Sequence, residues 1–447
     1  MSAAETALPN GPAPEGAIPE SPAEHRPAHR DGNVLRWLAA YTASLIGDSV
    51  YFVALAWSAQ KVAGPAEVGL VMAAGAFPRA LLMLGGGVAA DRFGVRRIVL
   101  GSDTVRCVLI LAVAAGVAVT APAVWILVAL ALAFGAVDAL FVPAVGALPP
   151  RITGPDQLAR VTGMRTLSMR ISQISGPPLG GLAMGLGGAS AAFAVAGALF
   201  ALSLPLLLTV RLRPPGGASD ATDVQGEADP APSSAPAPGS AWQDLIGGLR
   251  YVRRHRLIGP LIAVLAISEL GLTGTLNVGM VLLNGERGWG PSGYGWIISG
   301  FGAGATVGAL LLTVAGRLPR AGPTLAGTLL AGCAGAATIA LVPTLPLAVA
   351  VALTVGLAMG ICGTLANSLV QTAADPTYLG RVTSVVMLTS VGLAPLSYPV
   401  VGAAIGAWGS APVFIGCGAF GSLGVGVALG SGAVRRAELP RLRPVKA

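Results

Sequence analysis

Three carboxylates lie deep inside long apolar stretches of this 447-residue chain: Asp48, Asp138 and Glu269. Ionisable residues within a membrane are costly to bury, and they mark functional sites by default. Counted from Trp37 at 1.5 Å per residue, Asp48 lies about 17 Å into its stretch, roughly half of a 30 Å bilayer core. A carboxyl group held away from water favours its neutral form, so each of these residues could take up and release a proton.

Arginines in the same stretches offer these acids a different role. Arg79 lies at a depth comparable to that of Asp48 in the next stretch, and Arg170 lies midway along the fifth. A buried Asp48–Arg79 pair would be structural rather than functional. Otherwise we expect both arginines to line a proton and substrate cavity together with the three carboxylates. Glu269 has no basic residue nearby in its own stretch, which makes it our first choice for a proton site. None of the three histidines lies in an apolar stretch, so a proton carrier there has to be Asp or Glu.

The composition places these residues in a membrane. The chain is 54% hydrophobic and 11% charged, whereas about a quarter of a soluble domain is charged. Its mean hydropathy of +0.73 excludes an ordinary soluble domain. We predict an all-α integral membrane protein whose twelve transmembrane helices form two pseudo-symmetric bundles of six. A span needs about 20 apolar residues, and the predicted spans are approximately 37–60, 66–90, 98–119, 122–147, 160–184, 189–210, 257–283, 291–316, 323–342, 344–370, 380–406 and 411–432.

The spans predict five regions along the chain. Bundles at 34–210 and 257–434 are flanked by a disordered N-terminal tail, 1–33, and a C-terminal tail, 435–447. The linker 211–256 begins as a Pro- and Ser-rich disordered stretch and ends in an amphipathic helix. Its apolar face predicts that it lies on the membrane surface, and it consists of Trp242, Leu245, Ile246, Leu249 and Val252. Arg and Lys concentrate in the loops of one side, which by the positive-inside rule places both termini in the cytoplasm.

The two predicted bundles also repeat each other. Like residues recur at a constant offset of 221 positions, and such parallel halves are a known plan for transporters, with the substrate site between them near mid-bilayer. The matched pairs are Asp48 and Glu269, Arg160 and Arg381, Pro178 and Pro399, and Gly181 and Gly402. In the eighth span, Pro291 and Gly295 match Pro65 and Gly69 at an offset of 226, as the longer loop 284–290 before it would produce.

A charged turn separates the second and third predicted spans. It contains Gly87, Asp91, Arg92, Gly94, Arg96 and Arg97. The pattern G-x-x-x-D-R-x-G with basic residues after it resembles the signature loop of the major facilitator superfamily. The resemblance implies a gating loop that clamps the two halves in the outward-open state, with Asp91 near Arg381, and with Asp103 and Arg106 extending its network. The alternative is a plain positive-inside anchor, which would need only the arginines.

Two further motifs resemble parts of the same family. The run Gly176-Pro177-Pro178-Leu179-Gly180-Gly181 resembles the G-P-x-x-G-G motif of members that exchange protons for exported substrates, although any kinked packing helix could carry it. The end of the tenth span, with Gln371 and the following Arg381, resembles the branch that exports macrolides and siderophores. We expect both residues to belong to an inner gate or to the interface there; the alternative is that they are substrate ligands.

The resemblance implies a proton-coupled exporter of the cell membrane that moves a small hydrophobic or amphiphilic molecule, such as a drug or secreted metabolite, by alternating access. We expect a monomer that contacts lipid, substrate and protons, that is not an enzyme, and that needs no cofactor, metal or nucleic acid. No G-x-x-x-x-G-K-[ST] loop occurs, so ATP is not the direct energy source. The alternatives are an importer or uniporter on the same fold, or a membrane sensor or scaffold.

Overall fold

The computed structural model describes residues 27–120, 123–212, 240–315, 318 and 320–438, and for 83–91 and 240–245 it gives the helical backbone without the side chains. Within these residues the chain is helical and forms no strand. The helices are α1 (Gly32–Val62), α2 (Pro65–Phe93), α3 (Val95–Val119), α4 (Val124–Gly146), α5 (Leu158–Leu208), α6 (Ser240–Arg254), α7 (Ile258–Glu286), α8 (Gly290–Ala315), α9 (Ala321–Leu341), α10 (Leu345–Ala373), α11 (Leu379–Trp408) and α12 (Ser410–Gly430). Short helical turns lie at Pro149–Ile152, Pro155–Gln157 and Gly432–Arg435.

The helix α5 contains two membrane crossings. Its 51 residues would extend about 77 Å if straight, more than twice the bilayer core. Gly188 breaks it with φ 69° and ψ −162°, a conformation that suits glycine. Gly176 before the break and Phe200 after it both pack against the same part of α1, around Gly47 and Ser49, so the chain doubles back at Gly188.

The predicted twelve-crossing, all-α architecture is confirmed. Ten helices of the described part of the chain are long and apolar enough to cross a membrane, with α5 counted once. The second crossing of α5 and the 29-residue helix α2 complete twelve.

The start of α1 differs from the prediction. The helix begins at Gly32, inside the predicted tail 1–33, and Asp31 caps it by accepting a hydrogen bond from the N–H of Asn33 at 2.8 Å. Most of both tails and residues 213–239 of the linker lie outside the described residues.

The sequence repeat appears as two matching interfaces between the halves. A Cβ built on Gly69 of α2 would lie 2.5 Å from the carbonyl oxygen of Tyr398 on α11. A Cβ built on Gly295 of α8 would lie at the same distance from the carbonyl oxygen of Pro177 on α5. Tyr398 follows Pro177 by the repeat offset of 221 positions. Any side chain at either glycine would force the two halves apart.

The halves join at one end and separate at the other. The largest apolar cluster contains residues of both halves, Tyr51 and Phe414 among them. Two smaller clusters each belong to a single half, one around Trp37 and one around Ile258. Val95, at the arginine-rich α2–α3 turn, lies in the first of these smaller clusters. The cleft between the halves therefore opens toward the end that carries the basic turns.

The linker helix α6 packs on the start of α11. The ring of Tyr251 stacks on that of Tyr378, with centroids 4.5 Å apart and 5° between the planes. The hydroxyl of Tyr251 accepts a hydrogen bond from the backbone N–H of Asp375 at 3.2 Å. A Cβ built on Gly248 would lie 3.0 Å from the carbonyl oxygen of Arg381, so the helix fits closely here.

This docking changes the predicted picture of a helix lying only on the membrane surface. Val252, expected on the membrane-facing side, is buried against the second half, whereas Ile246 and Leu249 are exposed as expected. The side chains of Trp242 and Leu245 lie outside the described residues.

Candidate functional site

A buried arginine on α3 holds three carboxylates together in the first half. Nη1 of Arg106 lies 2.9 Å from Oδ1 of Asp48 and 3.6 Å from Oδ1 of Asp138, and Nη2 pairs with Asp103 one turn away on the same helix. The side chains of Arg106 and Asp103 are completely buried. A buried ion cluster of this kind is tolerable only because each charge faces an opposite one.

Hydroxyl groups and aromatic rings complete the surroundings of this cluster. Ser44 and Ser203 each donate a hydrogen bond of 2.6 Å to Oδ2 of Asp103. The guanidinium carbon of Arg106 lies 3.8 Å from the ring centroid of Phe141 and 4.9 Å from that of Phe200. Cation–π contacts at these distances replace part of the lost hydration of the arginine.

A second arginine, Arg79 of α2, extends the cluster toward solvent. Its Nε lies 3.2 Å from Oδ2 of Asp138, so Asp138 bridges Arg79 and Arg106. The side chain of Arg79 is 37% exposed, whereas that of Asp138 is 6% exposed. The alternative in which Asp48 pairs with Arg79 is wrong in its partners: Asp48 pairs with the arginine from α3 and Arg79 with the aspartate from α4.

The expectation for Asp103 and Arg106 also needs correction. The resemblance placed them in the network of the charged α2–α3 turn. They lie 9 and 12 residues beyond Gly94, which is about 13–18 Å along a helix, and their side chains face the core of the first half. Asp103 and Arg106 therefore lie too far along α3 to belong to the network of the turn.

Glu269 of α7 has very different surroundings. Its Oε2 accepts a hydrogen bond from the hydroxyl of Thr273, one helical turn later. Within the described residues, no cationic group lies within 4 Å of its carboxylate. Glu269 lines a cavity of about 360 Å³. The walls of that cavity are mainly apolar and include Leu265, Leu272, Leu276, Ile298, Phe301 and Met359.

Three adjoining cavities connect the two acidic sites. The first, of about 260 Å³, is lined by Asp48, Arg79 and Asp138. The second, of about 300 Å³, lies between the halves and shares Arg79 and Asp138 with the first. It shares Thr273 and Asn277 with the cavity of Glu269. The three neighbouring cavities thus form a row from the ion cluster of the first half to the carboxylate of the second.

The sequence reasoning missed several residues of these cavities. Arg170, predicted to line them, donates instead to the side-chain oxygen of Gln173 at 3.2 Å, and Arg165 lines the first cavity. The two arginines lie at similar depths, but their spacing of five residues rotates the side chain by about 140° around the helix, so they face different sides. Thr273 and Asn277 had a readable signal, because they follow Glu269 at spacings of four and so share its face.

The charged turn connects α2 and α3 to the end of α5. Gly94 has φ 87° and immediately precedes α3. Nη2 of Arg96 donates to the carbonyl of Leu208 at 2.8 Å, and Arg92 and Arg97 are exposed. Gly87 and Asp91 lie in the stretch of α2 for which only the helical backbone is described. The expected approach of the Asp91 side chain to Arg381, and with it the clamp, therefore stays a prediction.

The proline–glycine motif lies between two helices. Gly176 and Gly180 face α1 of their own half. Gly181 faces the other half, where a Cβ would lie 2.5 Å from the carbonyl oxygen of Pro291. Together with the close approach of Pro177 to α8, this makes the motif part of the interface between the halves.

The two residues expected at the inner gate lie near the open end of the cleft. Gln371 is exposed near the end of α10. The guanidinium carbon of Arg381 lies 5.4 Å from the ring centroid of Tyr378, beside the docked helix α6. Their gating role stays a prediction.

Comparison with known proteins shows to which protein family this chain belongs. The sequence model of the Major Facilitator Superfamily matches residues 37–396. The chain belongs to the Major Facilitator Superfamily. It is therefore a multi-pass membrane protein of a family of small-molecule transporters, a family that does not consist of enzymes. The family resemblance drawn from its motifs is confirmed.

Its curated relatives carry one name. The chain is 26% identical over 366 residues to the "Multidrug efflux pump Tap" of Mycobacterium tuberculosis (strain ATCC 25618 / H37Rv), covering 80% of this chain and 83% of that protein. It is 28% identical over 379 residues to the protein of the same name from Mycolicibacterium fortuitum, covering 81% and 87%.

Solved structures of distant transporters share the fold. The nucleoside transporter NupG matches with a TM-score of 0.66 at 11% identity, over 90% of this chain and all of that one. A bacterial homologue of the human lysosomal transporter Spinster, in an inward-facing and occupied conformation, matches with a TM-score of 0.65 at 15% identity, over 90% and 95%. At such identities the likeness concerns the fold alone.

Proposed function

We propose that the protein is a proton-driven exporter of small amphiphilic molecules, located in the cell membrane with both termini in the cytoplasm. The observation that carries the proposal is the carboxylate of Glu269, which lines an apolar cavity with Thr273 as its hydrogen-bond partner and with no cation beside it in the described residues. Such a group can change its charge without breaking an ion pair.

Among its described residues, the first half offers no comparable carboxylate in the cavities. Asp48 and Asp138 both contact the guanidinium of Arg106, and protonating either would weaken a buried ion pair. Glu269 can instead take a proton when the cavity opens outward and lose it when the cavity opens inward. The membrane potential contributes about 2.3 kcal/mol per charge per 100 mV to each cycle.

Export of amphiphiles is supported by the relatives and by the walls of the cavity. The relatives are named as multidrug efflux pumps, and they match four fifths of this chain. The apolar lining around Glu269 suits a molecule with a large hydrophobic surface.

The proposed cycle moves the two six-helix halves, 34–210 and 257–434, as units about their shared contacts, in a single monomer. Such a motion has to separate the close glycine contacts between α2 and α11 and between α5 and α8. The linker 211–256 and its docked helix would follow the second half.

Proteoliposomes with an imposed pH gradient and potential provide the test, with ethidium as a hydrophobic cationic probe. We expect wild-type protein to move ethidium uphill and Glu269→Gln to lose at least tenfold of that rate, because glutamine cannot carry the proton. Glu286→Gln is the matched control, since Glu286 ends the same helix and is exposed. Gradient-independent transport by the wild type, or uphill transport by Glu269→Gln, would reject the proposal. Uptake in the opposite direction would indicate an importer.

A further inference from the structure

The first cavity contains an arginine that the proposed proton cycle does not use. Arg165 of α5 lines this space together with Arg79, on the side of the cleft that belongs to the first half. Its Nε is buried and has no hydrogen-bond partner, and its guanidinium carbon lies 5.5 Å from the ring centroid of Tyr41. The group is thus supported by an aromatic face without being neutralised by it.

Every carboxylate of this cavity is already engaged elsewhere. Asp48 pairs with Arg106, and Asp138 pairs with both Arg106 and Arg79. Among the described residues, no carboxylate lies within 4 Å of Arg165. Of the charged side chains that line the three cavities, only Arg165 and Glu269 therefore lack an ion pair within the described chain.

An unpaired guanidinium in a partly apolar cavity is a recognition group for acids. Its planar fork matches a carboxylate in a bidentate arrangement, and Arg is weakly hydrated, so little solvation is lost on pairing. The rest of the cavity can hold the hydrophobic part of a ligand on Leu45, Phe52, Phe141, Val142, Val145 and Met169.

We propose that Arg165 binds an acidic group of the transported molecule, so that the substrates include amphiphilic carboxylates and not only neutral or cationic compounds. This proposal rests on the exporter function and adds a substrate class to it. The acid would contact Arg165 in the first cavity, while its apolar body extends toward the second cavity and the wall shared with Asn277.

Equilibrium binding to the purified full-length protein in detergent tests this, without any gradient. The probes are 1-pyrenebutyrate and 1-pyrenebutanol, which share their apolar body and differ in the acidic group, and energy transfer from tryptophan reports their binding. We expect the wild type to prefer the carboxylate by about tenfold, the size of one hydrogen-bonded charge pair. Arg165→Gln should lower this preference to about one, with the affinity for pyrenebutanol unchanged.

Two variants make the result specific. Arg165→Lys should keep an intermediate preference, because lysine retains the charge but not the planar fork. Arg160→Gln changes an exposed arginine on the same helix and should keep the wild-type preference. A wild type without preference, a preference that survives Arg165→Gln, or an equal loss of both probes would overturn the proposal. If Arg165→Gln does not fold, Arg165→Lys decides on its own through the same ratio.

The two proposals fail separately. A wild type that shows no carboxylate preference but keeps uphill ethidium transport would reject only the role of Arg165. Gradient-independent ethidium transport would reject the proton cycle and leave the binding preference standing.

Discussion

Asp48 and Glu269 occupy corresponding positions in the two halves, 221 residues apart, yet their surroundings are opposite. Asp48 lies 2.9 Å from a completely buried arginine, whereas Glu269 has the hydroxyl of Thr273. The difference teaches that the repeat sets where a carboxylate lies and that its neighbours set what it can do.

The second half has no arginine at the position that corresponds to Arg106. At the offset of 226 that relates Pro65 to Pro291, the counterpart of Arg106 is Gly332. At the offset of 221, the counterpart of Asp138 is Met359. A Cβ on Gly332 would lie 2.9 Å from the sulfur of Met359, so a contact between glycine and methionine replaces the ion pair of the first half. This replacement leaves Glu269 in an apolar cavity.

The backbone differs in the same place. The helix α1 is α-helical throughout, but α7 contains a π-helical turn at Thr275–Gly279, shortly after Glu269. Such turns often occur at functional sites. Asn277 lies within this turn and lines both the second cavity and the cavity of Glu269.

Breaking the ion cluster should have the largest effect. Arg106→Leu would leave Asp48 and Asp103 buried without a cation, and losing one partner of a buried pair costs about 3–5 kcal/mol. We expect a correspondingly lower unfolding midpoint in detergent, measured by intrinsic fluorescence. The control Arg160→Leu removes an exposed arginine and should be near wild type. Equal stability of the two variants would mean that the cluster does not hold the first half together.

Placing a cation in the second half should pair Glu269 and so abolish its proposed role in proton coupling. Met359→Arg would place a guanidinium in the cavity of Glu269. We expect uphill ethidium transport to fall at least tenfold, a change of about 1.4 kcal/mol or more, because Glu269 would then be paired like Asp48. Met359→Leu keeps the apolar wall and should retain transport. Full activity of Met359→Arg would show that coupling does not need an unpaired Glu269.

Releasing the linker helix should weaken only the second half. Tyr251→Ala removes the stack on Tyr378, and an aromatic pair contributes about 0.5–1.5 kcal/mol. Tyr251→Phe keeps the stack and loses the hydrogen bond from the Asp375 N–H, so its unfolding midpoint should lie between that of Tyr251→Ala and the wild type. If Tyr251→Phe were as unstable as Tyr251→Ala, the hydroxyl and not the stack would hold α6.

The smallest expected effect concerns the turn before α11, where the second half has Asp375 and the first half has Gly154. Hydrogen bonds from the hydroxyl and N–H of Thr377 lower the pKa of Asp375. A lowered pKa stabilises the fold above the ordinary value of Asp, and this contribution is lost as the pH falls through the folded-state value.

Thr377→Val should therefore raise that pKa toward its ordinary value and flatten the acid side of the stability–pH curve. At neutral pH the unfolding midpoint should change by no more than about 1 °C, as for other surface substitutions. Thr377→Ser keeps the hydroxyl donor and should follow the wild-type curve; a flattened curve for this variant would contradict the assignment.

Much of the fold was readable from residue types. Apolar runs predicted the crossings, and the repeated residues anticipated the matching interfaces at Gly69 and Gly295. The break at Gly188 allowed two predicted spans to appear as one helix that doubles back. The docking of α6 was not readable, because a single amphipathic face can pack on lipid or on protein.

The sequence by itself determined that the acids lie in the membrane and that Glu269 has no cation on its own helix, since depth follows from position along a helix. Only the tertiary structure decided that Arg106 from α3 pairs with Asp48, that Arg165 rather than Arg170 faces a cavity, and that Gly332 and Met359 leave Glu269 unpaired. Partners from different helices depend on how those helices rotate and pack against one another, and this information does not lie in any single stretch of the chain.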